Sequence, residues 1–178
     1  MNHQAVLFER YPPTTPLLEN IVWVLVYASG SALFLYTSVW AAEAYAAYCL
    51  ISMYLLIPRL VCTHCAYFGQ VCHSGQGLIA GVLFPKAEGA MFGSYFRFMG
   101  IASPVFLAPL IAGLILSVFQ FSWEVLVLTA IFGILALWCT RVVTKKLGCP
   151  HCKQHSICPA CTRTKDSTGS IVERGSTE

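Results

Sequence analysis

Long apolar stretches dominate this chain, and polar residues gather in an N-terminal segment, a middle connection and the C-terminal end. Between Ile21 and Trp40 no side chain other than tyrosine can ionise. At about 1.5 Å of rise per residue, a helix over that stretch crosses a hydrocarbon core about 30 Å thick. A second apolar helix is expected from about Ala41 to Ile57, closed by Pro58 and Arg59, because proline ends a helix readily and arginine snorkels to the interface. A third is expected over 99–121, with Pro104 and Pro109 as kink points, and a fourth over 123–143. The expected fold is an all-α integral membrane protein of four transmembrane helices in two hairpins. Residues 1–147 form its membrane domain, and 58–98 is a Cys- and Gly-rich connection.

Composition agrees: 57% of residues are apolar and only 11% charged, against about 45–50% and about 25% in soluble domains. The placement of the basic residues adds an orientation. Arg10 precedes span one, Arg59, Lys86 and Arg97 lie in the connection, and Arg141, Lys145, Lys146, Lys153, Arg163, Lys165 and Arg174 close or follow span four. Neither turn, around Thr37–Glu43 or Gln120–Glu124, has a lysine or arginine. Basic residues near span ends are retained in the cytoplasm, so both termini and the connection are expected there. A net charge of +3 reflects this retention and does not point to nucleic acid, which calls for a dense basic face.

Ala28-Ser29-Gly30 has the small residues of a leader cleavage site, but the apolar run continues beyond it and Met1–Asn20 is a poor basic leader. Tyr11-Pro12-Pro13-Thr14-Thr15-Pro16 is expected as an extended interfacial segment, and the polar tail 162–178 as disordered. Within the spans, Ala28 to Ala32, the alanines of span two and Gly133 are expected to let helices approach closely. Cys49 and Cys139 are expected to be buried as small hydrophobes. All five histidines, His3, His64, His73, His151 and His155, fall outside the spans. A haem held between two membrane histidines is therefore not available, and intramembrane proton or ion pathways lack their ionisable groups.

Chemistry concentrates in seven of the nine cysteines. Cys62-Thr-His-Cys65 precedes Cys72-His73, and Cys149-Pro-His-Cys152 precedes Cys158-Pro-Ala-Cys161. A cytoplasmic location keeps thiols reduced, which turns such spacings toward metal binding and away from disulfides. Cys149, Cys152, Cys158 and Cys161 are the expected ligands of a tetrahedral site in a double knuckle over 148–161. Cys62, Cys65 and Cys72, with His73 or His64, are the candidates for another, and the spacing leaves a shared or two-metal arrangement of the two stretches open. The Cys-Pro-x-Cys knuckles resemble those of zinc ribbons and rubredoxin-type single-metal sites over about thirteen residues. Zinc is the expected metal, with iron or an iron–sulfur cluster behind it, because the spacing fits neither common ferredoxin run.

Gly75-Gln76-Gly77 lacks the glycine and lysine of a phosphate-binding loop. Leu78–Phe84 and Phe92–Met99 are expected to lie in the interface, with Lys86 and Arg97 on lipid phosphates. The functional expectation is a non-catalytic subunit or adaptor of a larger membrane complex, in contact with lipids and other subunits. The alternative is a membrane-bound redox component using a Cys-x2-Cys dithiol or a thiolate-bound iron.

Overall fold

A computed structural model describes residues 7–87, 92–120, 122–154 and Cys158. Among these, all regular structure is helical, and four helices are long and apolar enough to cross a membrane. They are α1 (Thr14–Leu35), α2 (Val39–His64), α4 (Phe96–Phe119) and α5 (Trp123–His151), with a short α3 (Gln76–Leu83) between the second and third. Cys161, His3, His155 and the tail over 162–178 lie outside the described residues.

Helix α1 starts earlier than its apolar run suggests. Proline is tolerated in a first helical turn, where its missing N–H would be unpaired anyway, and here the turn begins directly after Pro13 and includes Pro16. The 22 residues span about 33 Å. Starting at Thr14 brings Glu19 into the helix, in register with Val22, Val26, Gly30 and Leu33 on the buried stripe. The break before α2 falls at Ser38, whose hydroxyl accepts the Ala41 N–H at 3.1 Å as an N-cap.

Helix α2 does not end at Ile57. Its regular α-helix over Val39–Ile51 widens into a π-helix over Ser52–Leu56 and returns to an α turn over Ile57–Leu60 that contains Pro58. The wider turn, in which Ile57 N–H bonds Ser52 C=O, gives the proline ring room that the ordinary spacing would deny it. Helix α4 begins as a 3₁₀ stretch over Phe96–Ala102 and becomes α-helical at Ser103, with Pro104 in its first turn. Pro109 stands inside that helix and is fully buried.

Helix α1 packs along α2 and also lies against α4 and α5, while α4 and α5 pack along each other. The shared core includes Val26, Leu33, Cys49, Val105, Val125 and Phe132. At Gly30 α1 and α2 approach closely: a Cβ there would sit 2.5 Å from the Tyr45 hydroxyl oxygen, and that hydroxyl donates to Val105 C=O at 2.8 Å. Gly113 plays the same part between α4 and α5, under Thr129, whereas Gly133 faces open space. Cys49 and Cys139 are fully buried. Around the outside, Val24, Leu25, Leu50, Leu114, Val118 and Ile134 are exposed with many other large apolar side chains. Such a continuous apolar belt suits lipid and not water.

Candidate metal centre

The two Cys-x-His-Cys stretches have the same local structure. Each ends a long helix, and each follows a π-helical segment, Ser52–Leu56 with one further α turn in α2 and Cys139–Gly148 in α5. Each then tightens into a single 3₁₀ turn: Cys65 N–H bonds Cys62 C=O at 3.1 Å, and Cys152 N–H bonds Cys149 C=O at 3.2 Å. The second cysteine of each is extended, at φ −86°, ψ 148° for Cys65 and φ −79°, ψ 129° for Cys152. In both, the histidine stacks on an aromatic ring. His64 lies 3.7 Å from the Tyr95 ring centroid, and His151 lies 4.4 Å from that of Phe8.

These two turns meet at one end of the bundle. Cys65, Cys72 and Cys152 pack into one apolar cluster with Phe8, Tyr11 and Tyr67. Cys149 and Cys158 belong to the adjoining core, and Cys62 and Cys65 rest against it. Six thiols from segments far apart in sequence thus share one region. Backbone amides already face three of the sulfurs. The Tyr67 amide lies against Cys65, the Gln154 amide against Cys152, and Gly77 N–H reaches the Cys72 sulfur at 3.3 Å. Amides aimed at sulfur favour the thiolate form that a metal needs.

The N-terminal segment, expected only as an interfacial stretch, straps across this end. Phe8 N–H bonds His151 C=O at 3.0 Å, and Tyr11 N–H bonds Val71 C=O at 3.1 Å. The Tyr11 hydroxyl donates to Gly148 C=O at 2.6 Å. Tyr67, 1% exposed, is the hub: its hydroxyl donates to Phe8 C=O at 2.8 Å and accepts Lys153 N–H at 3.1 Å.

His73 is turned elsewhere. Its Nε2 lies 3.9 Å from Glu19 Oε2, and its ring packs on the backbone of Gly148, where a Cβ would come 2.7 Å from Cδ2. Glu19 is 3% exposed and accepts Trp23 Nε1–H at 3.4 Å, while its Oε2 has no hydrogen-bond donor among the described residues. Sequence reading missed Glu19, although its register with Val22 and Val26 marks it as inward-facing.

Burial pushes the Cys65 thiol up to about 12, against the lowering effect of the Tyr67 amide, and neighbouring Cys72, Cys152 and Cys158 add to the rise. Cys152 is raised as well, by burial first. Buried neutral thiols of this kind are poor nucleophiles, and a divalent cation reverses the balance by displacing their protons. A tetrahedral thiolate site with bonds of about 2.3 Å places sulfurs about 3.8 Å apart. Among the described residues no three Cys, His, Asp or Glu side chains stand in such an array. Loading would have to draw the sulfurs together by side-chain rotation.

The fold and this end of it define a class: a helical protein with four membrane-length helices and a thiol-rich terminus closed by an aromatic strap. The chain matches no family model, no curated protein and no solved structure.

Proposed function

We propose that this chain is a multi-pass membrane protein of two helical hairpins whose thiol end binds zinc and serves as a non-catalytic docking scaffold within a larger membrane assembly. The observation that carries the reading is the convergence of six cysteines, three with backbone amides facing their sulfurs. Structural zinc contributes about 10–16 kcal/mol of apparent binding energy in small peptides. That energy suits a region whose apolar core is small and shared between separate chain segments. Zinc would be held by the thiols of the 62–72 and 149–161 stretches.

Orientation follows the basic residues. Arg59, Lys86, Arg97, Arg141 and Lys146 are exposed, in or beside the segments that lead to the thiol end. They suit the retained, cytoplasmic side and its anionic lipid headgroups. A reducing compartment also keeps the thiols available to a metal.

The scaffold role is tested by solubilising the chain in mild detergent and comparing the particle formed by wild type with that of a Cys149→Ser, Cys152→Ser double variant. The expected result is a larger wild-type assembly of defined composition that the variant fails to form while still inserting into the membrane. Insertion depends on the apolar helices, which the substitutions leave alone. Wild type and variant migrating alone as the same small particle would overturn the scaffold role, and a visible iron–thiolate spectrum would replace zinc with a redox metal.

A further inference from the structure

Gln154 touches three of the cysteines at once. Its backbone amide faces the Cys152 sulfur, its side-chain Oε1 accepts from the Cys65 sulfur at 3.1 Å, and its carbonyl accepts Cys158 N–H at 2.8 Å. Gln154 is only 7% exposed, so these contacts are made out of water. Cys72 joins the same group through the cluster it shares with Cys65 and Cys152. By contrast, the Cys62 sulfur faces Gln76 Oε1 at 3.8 Å, at the edge of sulfur hydrogen bonding. His73 is directed to Glu19 and Gly148.

We propose that one metal ion is held across the two helix pairs by Cys65, Cys72, Cys152 and Cys158, two sulfurs from each half of the chain. The inference rests on the metal-binding reading above and specifies its ligands. Spacing alone leaves open whether each stretch binds its own ion or the two share one, and the proposal commits to a shared ion. A cross-pair site staples the ends of α2 and α5 to each other, which two separate sites would not do. In the metal-free state the Gln154 side-chain carbonyl accepts the Cys65 S–H. When a divalent cation binds, that proton leaves to solvent, and rotation of the amide presents Nε2–H to the thiolate instead. Gln154 is thus a positioning residue and not a ligand.

Cobalt(II) titration of the full chain in detergent tests the ligand set, since the sulfur-to-cobalt charge-transfer band grows with the number of bound thiolates. Wild type is expected to saturate at one ion per chain with a four-thiolate spectrum. Single Ser variants of Cys65, Cys72, Cys152 and Cys158 should each lose about a quarter of the charge-transfer intensity or the site altogether. Ser variants of Cys62, Cys149 and Cys161 should keep the wild-type spectrum. Cadmium NMR of the unmodified chain reads the sulfur count independently and does not depend on how well any variant folds. Saturation at two ions, an unchanged Cys72→Ser spectrum, or loss of the site in Cys161→Ser would overturn the cross-pair assignment and leave metal binding standing. No cobalt binding by wild type would overturn both.

Discussion

Replacing Tyr67 with phenylalanine removes one oxygen and leaves the ring that packs on Tyr11, at 5.7 Å between centroids. That oxygen pairs Phe8 C=O at 2.8 Å and Lys153 N–H at 3.1 Å, tying the strap to the end of α5. Leaving a buried polar group unpaired costs about 1–3 kcal/mol. Phe8 and Lys153 are half-buried, so water can recover part of that loss. A net cost of about 2 kcal/mol is expected, and it raises the open population of the strap about 30-fold. Arg10 is exposed within the strap, so limited trypsin cleavage at Arg10 reports its opening. Where closing is fast compared with cleavage, the rate follows the open population. In mild detergent, Tyr67→Phe should be cut about 30-fold faster than wild type, normalised to a reporter peptide in the same tube. Tyr11→Phe, which loses the 2.6 Å bond to Gly148 C=O, should move the same way. Equal cleavage rates in wild type and Tyr67→Phe would refute the hub role of the hydroxyl.

Gly30→Val should lower the thermal midpoint in detergent, because overpacking costs about 1–3 kcal/mol and the new methyls displace Tyr45 from its bond to Val105; an unchanged midpoint would mean that α1 and α2 are not in contact there. Glu19→Leu should leave the midpoint unchanged or raise it, since an incompletely paired buried carboxylate is often replaced by an apolar side chain without loss. A fall of several degrees would show that the carboxylate is paired more fully. Gln154→Glu should weaken metal binding by placing a further anion beside the Cys65 sulfur, and undiminished affinity in a competition titration would count against the placement of Gln154. Membrane-impermeant maleimide applied to intact cells should miss the seven cluster cysteines, and labelling of Cys65 or Cys152 from outside would reverse the proposed orientation.

The membrane-length helices were legible because an apolar run without charge has few alternatives to crossing a bilayer. Their ends were less so, each for a local reason. Pro58 looks like a terminator, yet the π turn over Ser52–Leu56 accommodates it, and no residue type announces such a turn. Pro16 suits an extended segment, but a first helical turn also accepts proline, and the earlier start brings Glu19 into the helix whose buried stripe it joins. Small residues were informative at Gly30 and not at Gly133, because crossing geometry and not composition decides which glycine meets a neighbour. The cysteines were found from spacing alone. The spacing left a shared site open, but which sulfurs come together was not legible, since that depends on how α2 and α5 end and on a strap from Phe8 to Tyr11 that bonds Val71, Gly148 and His151. Likewise nothing in the sequence announces that His64 stacks on Tyr95 and His151 on Phe8.

Metal content of the intact chain is the most direct measurement. The protein is purified in mild detergent without added metal, its transition metals are quantified against protein mass, and a mercurial reagent is then titrated in beside a chromogenic chelator. Zinc at a whole-number ratio to the chain is expected, released as the thiols react and diminished in Cys65→Ser and Cys152→Ser. A chain that carries no transition metal, and whose cluster thiols all react freely from the first addition, would contradict it.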